Sequence, residues 1–173
     1  MKEIDKILEK KERVIWEGKP EYAPYITSIM FIVLIAIIII GFFIGIFLKS
    51  ITGAIVGAVV VLILGTVLIN MTYTRTHYAI TNKRAIIQSG IIGRDFKSID
   101  YDKIQNVSVN VGILGVIFKV GTVNIFTGEI ESVSSGNQSS TMQPKYDTFV
   151  HINSPYEILK KLQVHLSKRK EGL

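Results

Sequence analysis

The sequence predicts an α+β protein in which a hairpin of two transmembrane helices is followed by an antiparallel β domain closed by a C-terminal α-helix. Three observations lead to this fold class. Two long uncharged runs predict the helices, short segments rich in Val, Ile and Thr predict the strands, and a capped amphipathic segment predicts the last helix. The 173 residues divide into a lead-in over 1–24, the hairpin over 25–72 and the β domain over 73–173.

Composition excludes a purely soluble protein and several kinds of chemistry. Mean hydropathy is +0.37, and uncharged runs of 27 and 25 residues follow Glu21 and Lys49. Each run exceeds the roughly 20 apolar residues that a bilayer span needs, so we predict spans over about 25–48 and 51–71. Neither span contains Asp, Glu, Lys, Arg or His, which argues against an ion path. The absence of cysteine excludes disulfides, thiol nucleophiles and Cys-ligated metals.

Four glycines predict how the two spans pack. Gly41 and Gly45 precede the turn near Lys49, and Gly53 and Gly57 follow it at matching depths. Both pairs have the GxxxG spacing, which lets helix backbones approach closely. We favour packing between the two helices of one chain, although a homo-oligomer interface would use the same residues.

Basic residues on the flanks predict the orientation. The first 24 residues carry six Lys or Arg and the segment after the second span adds Arg75, Lys83 and Arg84, whereas the turn offers Lys49. The positive-inside rule then places both termini and the β domain in the cytosol, on an integral protein of the cell membrane. The β domain has a net charge of +5, which would attract anionic lipid headgroups. A basic surface that is merely solvated is the alternative, and no nucleic-acid partner is expected.

Alternation and turn residues predict six strands in the β domain. Val107 and Val109 alternate with polar residues, as do Val123 and Ile125, so these side chains should face a core. The predicted strands run over about 75–81, 84–92, 95–101, 104–111, 119–127 and 146–152. The polar, serine-rich stretch over 128–145 predicts a mobile hairpin tip or a loop.

A helix is predicted to end the chain. Ser154 and Glu157 form a capping box, with Pro155 at the first helical position. Apolar residues at helical spacing follow from Ile158 to Leu166. Near the N terminus, the pattern predicts a short amphipathic helix and then a brief strand.

Several loose motifs follow one another along the chain. They are Glu12–Pro20, Tyr78–Arg84, Gly90–Arg94, Ile104–Val107, Gly115 and Gly121–Val123. In this order they resemble the bacterial PH-domain family of YdbS-like membrane proteins, over about residues 12–165. The resemblance implies a pleckstrin-homology (PH)-like antiparallel β-barrel or sandwich, a membrane anchor, no cofactor and no catalysis. Such a fold has seven strands, so the seventh must come from Glu129–Val133 or from Val14–Trp16.

Two groups of basic residues are candidate contacts. A strand rises about 3.3 Å per residue, so strands that leave the membrane and return bring alternate turns back to it. Arg75, Arg94 and Lys119 are therefore predicted to touch anionic headgroups. Lys83 and Arg84, at the turn farthest from the spans, are candidates for fixing that turn or for contacting a partner.

The segment over 112–118 is the most apolar one outside the spans, and the same alternation returns it to the membrane. The alternative, which we favour, is that Ile113, Leu114 and Phe118 fold inward and plug the barrel. The function predicted is a membrane-anchored, non-catalytic PH-like binding or adaptor module. The alternative is a structural subunit of a homo-oligomeric or hetero-oligomeric membrane assembly. No pattern predicts a catalytic, metal or cofactor site.

Overall fold

Two long helices, α1 (Tyr22–Leu48) and α2 (Ile51–Arg75), dominate the first half of the chain. The computed structural model describes residues 3–48, 51–90, 93, 95–135 and 139–171. By length and composition both helices are suited to crossing a membrane, and the apolar stretch of each is not buried inside the chain. That exposure is compatible with membrane insertion, since the core helix of a soluble protein would be covered. The helix α1 begins before the predicted start because Pro24 is tolerated within a first helical turn.

The two helices pack on each other, and two glycines mark their close approaches. A Cβ atom added to Gly57 would lie 2.6 Å from Cδ1 of Ile44. One added to Gly65 would lie 3.0 Å from Cγ1 of Val33. The absence of a side chain at both positions therefore lets the helices come together, as small residues do in membrane proteins.

The remaining glycines predicted at this contact lie in different surroundings. A Cβ atom on Gly41 would meet no heavy atom within 4 Å, so Gly41 is not at a close approach. Gly53 lies in the first turn of α2. The surroundings of Gly45 are outside the described residues. The glycine spacing thus indicated a close helix pair without identifying Gly65 as one of its contacts.

In the described part of the chain, seven antiparallel strands form two sheets. Sheet A has the order β1 (Val14–Gly18), β2 (His77–Thr81), β3 (Arg84–Ser89), β4 (Asp95–Asp100), and sheet B has the order β5 (Asn106–Asn110), β6 (Val120–Ser135), β7 (Ser139–Asn153). A short helix, α3 (Ile113–Phe118), joins β5 to β6, and α4 (Pro155–Glu171) ends the described chain. Among the described residues no strand of one sheet pairs with the other, so of the two predicted architectures the structure has the sandwich and not a closed barrel. A 3-10 turn anchored by the buried Tyr101 separates β4 from β5.

The seventh strand, β1, precedes the long helices. Val14 pairs with Thr81 and Gly18 pairs with Tyr78. Because β1 leads into α1 and α2 leads into β2, the helix pair is an insertion in the first hairpin of sheet A. The N-terminal lead-in therefore contributes to the same fold as the residues after the helices. The other candidate segment, Glu129–Val133, is an extension of β6.

The two sheets and α4 enclose one apolar core. Its largest buried side chains include Tyr78, Ile80, Ile99, Ile125, Ile152, Phe149 and Leu162. Val107, Val123 and Ile125 face this core, as the alternation predicted. Ile158 and Leu162 of α4 close it from one side.

Beyond the core, β6 and β7 continue as a paired hairpin. Ile130 lies opposite Pro144 and Ser132 lies opposite Met142, after a shift in register between Phe126 and Ile130. The segment predicted as a hairpin tip or a loop is therefore mostly strand, with residues 136–138 outside the described residues.

Candidate functional site

One end of the sandwich lies against the two long helices, and we call it the helix-proximal end. The backbone N–H of Glu21 donates to the carbonyl oxygen of His151 at 2.7 Å, and Nε2 of His151 lies 3.1 Å from Oγ of Ser28. On the other side, Nη1 of Arg75 donates to the carbonyl oxygen of Gly93 at 3.4 Å. The end of β7 in sheet B and the turn before β4 in sheet A therefore meet the helix ends here.

The short helix α3 also lies at the helix-proximal end, in contact with α1. Gly115 is its buried residue, and a Cβ atom there would lie 2.5 Å from the carbonyl oxygen of Val120. Only glycine therefore lets α3 sit this close to β6. With Gly115 facing the sheet, other α3 side chains point away, and Ile113 and Val116 are 83% and 70% exposed.

This exposure overturns the prediction that Ile113, Leu114 and Phe118 plug the barrel. Ile113 and Phe118 are exposed and Leu114 is half-buried, and none belongs to the buried core. The physical reason is that Gly115 occupies the position that faces the sheet. The predicted apolar loop is thus a helical turn that presents apolar side chains outward beside α1.

A cavity of about 390 Å³ lies between α3 and sheet B. Its polar lining comes from Asn110, Thr122, Asn124 and His151, and its other lining residues are apolar or glycine. A Cβ atom on Gly121 would lie 2.7 Å from Cγ of Pro155, so the wall is close-packed at that point. The lining contains no Lys, Arg, Asp or Glu among the described residues.

His151 links this cavity to α1. Its φ of 50° is uncommon for a residue other than glycine, and it lies next to a register shift between β6 and β7. Its ring meets the ring of Tyr25 edge-on, at 6.5 Å between centroids. Burial lowers the pKa of His151, which keeps the imidazole neutral at pH 7. The residue therefore offers the cavity hydrogen-bonding capacity without a charge.

The basic residues predicted near lipid are placed as follows. Arg75 is the last residue of α2 and is half-buried. Lys119 is exposed and ends α3 with a φ of 56°, and its backbone N–H donates to the carbonyl of Gly115. Arg94 lies outside the described residues. Arg75 and Lys119 thus share the helix-proximal end, and their contact with lipid stays a prediction.

Lys83 and Arg84 lie at the opposite end, in an ion-pair cluster with the N-terminal segment. Nε and Nη2 of Arg84 donate to the two carboxylate oxygens of Glu12 at 2.9 and 2.8 Å. Nη2 of Arg84 also donates to the carbonyl of Ile7 at 3.1 Å. Nζ of Lys83 donates to Oε2 of Glu9 at 2.7 Å. Both basic side chains therefore hold the N-terminal segment onto sheet A.

Glu12 is the buried partner of this cluster, with a fully buried side chain. Burial alone would raise its pKa, but hydrogen bonds from Arg84, the Glu9 backbone N–H and the Thr81 hydroxyl outweigh burial and hold the pKa below its usual value. The same hydroxyl accepts the backbone N–H groups of Lys83 and Arg84, at 3.1 and 3.0 Å. Arg84 thus fixes its turn through Glu12 and Thr81.

Sequence reasoning missed Glu12 and the cavity side chains. The partners Glu12 and Arg84 are 72 positions apart, so no local pattern joins them. The cavity residues did leave a signal, because Asn110, Thr122 and Asn124 occupy the polar half of the alternation whose apolar half predicted the core.

Seven antiparallel strands in two packed sheets, closed by a C-terminal helix, define a PH-like module. Such modules are generally non-catalytic and bind ligands or partners. Within the described part of the chain, no group of three or more His, Asp or Glu side chains could hold a metal ion. The chain belongs to the family described as Bacterial PH domain, whose model matches residues 23–147.

One solved structure is similar to the chain at low identity. It is the crystal structure of a DUF1696 family protein with a pleckstrin-homology domain from Shewanella loihica PV-4. The two share 17% identity with a TM-score of 0.35, over 54% of this chain and 73% of that chain. A TM-score of 0.35 is too low to establish a shared fold. No curated protein matches the sequence.

Proposed function

We propose that the protein is a membrane-anchored, non-catalytic binding module whose helix-proximal end rests on the cytosolic face of the cell membrane. The helices α1 and α2 would cross the bilayer as a hairpin, with both termini in the cytosol. The distribution of basic residues supports this orientation by the positive-inside rule.

The observation that carries the proposal is the exposure of α3. Soluble surfaces rarely cluster large apolar side chains without a partner. Ile113, Val116 and Ile117 are 83%, 70% and 65% exposed on a single helical turn beside α1. A lipid interface at the ends of the two long helices would cover these side chains.

Basic residues would add an electrostatic contribution. Arg75, Arg94 and Lys119 are proposed to contact anionic headgroups, each attraction being worth about 1 kcal/mol near a charged leaflet. Lys83 and Arg84 are proposed to take no part, because their side chains pair with Glu9 and Glu12.

Spin-label depth measurements test the position of α3, and the cysteine-free sequence makes single labels simple. The full chain carries one label in nanodiscs containing phosphatidylglycerol. The label is at Val116→Cys or, as a control, at the exposed Met142→Cys of the distal hairpin, our name for the part of β6 and β7 from Ile130 to Pro144. The Val116 label should meet dissolved oxygen more readily than a water-soluble nickel complex, and the Met142 label should show the reverse. Equal access of the nickel complex to both labels would refute the proposal.

Labelling of intact cells tests the orientation. A cysteine at Ser50, between the two described helices, should react with an impermeant maleimide from outside the cell. A cysteine at Met142 should react only after the membrane is opened. The opposite pattern would place the β domain outside the cytosol.

Salt and substitution test the charge contribution. In phosphatidylglycerol nanodiscs, Lys119→Gln should bring the Val116 label nearer to water, and added salt should do the same. Lys83→Gln should leave the label where it is. Equal shifts in the two variants would remove the anionic headgroup from the proposal.

The distal hairpin favours a second candidate function, as a structural subunit. Ile130 and Met142 are 64% and 78% exposed, and the pairing of Ile130 with Pro144 and of Ser132 with Met142 puts them on one face. A homo-oligomer or another membrane protein could cover this face. Native mass spectrometry would show an oligomer that Met142→Asp dissociates, whereas a monomer favours the binding module.

A further inference from the structure

The outer face of sheet B is polar and carries no charge where its three strands lie side by side. Val107, Val123 and Ile125 point into the core, so the residues between them point outward. Asn110 pairs with Thr122, Ser108 pairs with Asn124, and Asn124 pairs in turn with Thr148. The outward side chains, which we call the amide face, are Asn106, Ser108, Asn110, Thr122, Asn124 and Thr148.

The amide face has unused hydrogen-bonding capacity. None of its six side chains makes a side-chain hydrogen bond within the described part of the chain, and Thr122, Asn124 and Thr148 are only half-exposed. Each amide both donates and accepts, and each hydroxyl does the same. Charged residues make up 20% of the chain, but this face contains none of them. A face made only of neutral amides and hydroxyls suits a ligand with many neutral donors and acceptors.

The cavity beside α3 continues the amide face toward the long helices. It shares Asn110, Thr122 and Asn124 with that face, and its volume of about 390 Å³ is within the range of small-molecule sites. A charged ligand group held there would find no opposite charge in the lining and would lose hydration without compensation. The lining therefore favours an uncharged polar ligand over a phosphate or an ammonium group.

Apolar groups border the amide face at both ends. At the helix-proximal end α3 presents Ile113 and Val116. At the other end, the rings of Phe126 and Tyr146 lie 5.4 Å apart, and Tyr146 is half-exposed, so an aromatic surface is available to the C–H groups of a ligand. The strand β5 spans about 13 Å between these borders, at roughly 3.3 Å per residue.

We propose that the amide face and the cavity bind an uncharged polyhydroxylated group of one or two hexose units, carried by a lipid. The hydroxyls would bond to the amide face, and the glycerol and acyl chains would leave past α3 into the bilayer. This inference rests on the proposed position of α3 at the membrane. The same hydrogen-bonding chemistry would also admit a free sugar, and the experiment separates the two sources.

Lipid retention by the full chain is the test. Nanodiscs contain phosphatidylglycerol, diacylglycerol and monohexosyl-diacylglycerol with the same acyl chains, and the protein is prepared without glucoside or maltoside detergents, which would compete. Native mass spectrometry should show about tenfold enrichment of the hexosyl lipid over the other two. Asn124→Ala should abolish this enrichment, whereas Gln143→Ala, on the distal hairpin, should keep it. A tenfold loss corresponds to about 1.4 kcal/mol.

A second arm identifies the source of the sugar. Methyl glucoside at millimolar concentration should leave the melting temperature unchanged if the lipid is needed for binding, and should raise it if a free sugar is the ligand. Either result, together with an effect of Asn124→Ala, supports the amide face as the site.

Other outcomes overturn the inference and remain distinct from failure of the proposed function. Equal retention of all three lipids, or equal retention by wild type and Asn124→Ala, would contradict a hexose site. If the Val116 label is nevertheless buried in the same nanodiscs, the membrane module stands and only the sugar assignment fails. If that label lies in water, the proposed function itself fails.

Discussion

The outer faces of the two sheets differ in polarity and in whether another segment covers them. On sheet A, Ala79 and Ile86 point outward and are fully buried, because the N-terminal segment covers them with Ile4. The buried pair of Arg84 and Glu12 holds that segment in place. On sheet B, the amide face carries no covering segment among the described residues.

The difference separates a covered outer face from an open one within one fold. Sheet A has apolar side chains on both faces, so its outer face must be shielded from water. The residues before α1 cover that outer face. Sheet B has one apolar face, which packs on the core, and one polar face. The polar face can be exposed to water without a covering segment. Substitutions on sheet A should therefore change stability, and substitutions on sheet B should change binding.

The largest expected effect is at Arg84. Arg84→Ala leaves the Glu12 carboxylate buried without its cation and should lower the free energy of unfolding by about 3 kcal/mol. Lys83→Ala removes an exposed pair with Glu9 and a long hydrogen bond to the Lys10 carbonyl, and should cost less than about 1 kcal/mol. Chemical unfolding of the full chain in detergent measures both, and equal losses would break the contrast between the faces.

A smaller loss is expected where α3 meets sheet B. Gly115→Val would force its side chain against the Val120 carbonyl and should cost about 1–3 kcal/mol, as overpacking does. Val116→Ala on the exposed side of α3 should leave the melting temperature unchanged. Tolerance of Gly115→Val would show that α3 is not held against β6.

The helix pair provides a third surface for comparison. Gly65→Leu should destabilise the chain by about 1–3 kcal/mol, because Val33 is branched and close to it. Gly41→Leu, where an added Cβ meets nothing within 4 Å, should have no such effect. Thermal unfolding with native mass spectrometry checks both, and a changed oligomeric state with unchanged stability would assign the glycines to a subunit interface.

The pH dependence of the sheet A cluster should be modest. The pKa of Glu12 is lowered in the folded chain, so its ionisation adds stability above the ordinary value of 4.5. That stability is lost as the pH falls through the lower folded value. The melting temperature of the wild type should therefore exceed that of Glu12→Gln at pH 7 and approach it in acid. A constant difference from pH 7 to pH 3 would contradict the lowered pKa.

The smallest effect on stability is expected on the amide face. Asn124→Ala removes no hydrogen bond within the described chain and should change the free energy of unfolding by less than about 0.5 kcal/mol. A loss as large as that of Arg84→Ala would mean that this face has a structural partner.

Local patterns predicted most of the fold. Alternation placed Val107, Val123 and Ile125 in the core, and proline as the first helical residue placed the start of α4 at Pro155. The seventh strand was left open because its partner is distant along the chain. The two long helices lie between β1 and β2 in the sequence, so β1 could be named only as one of two candidates, which the structure confirms.

The candidate site was less predictable for a similar reason. The outward exposure of Ile113 depends on the contact between Gly115 and the Val120 carbonyl, which no periodicity shows. The amide face depends on the register of three strands, so its residues share a surface only after the sheet forms.

Cysteine accessibility on the two outer faces tests the contrast most directly. The full chain, in nanodiscs open to reagent from both sides, carries a single cysteine at Ile86 on sheet A or at Ser108 on sheet B, which leaves Asn124 in place. A maleimide should react quickly at Ser108→Cys and slowly at Ile86→Cys, and hexosyl-diacylglycerol in place of diacylglycerol should slow only the first reaction. Equal rates on both faces would contradict the division between a covered structural face and an open binding face.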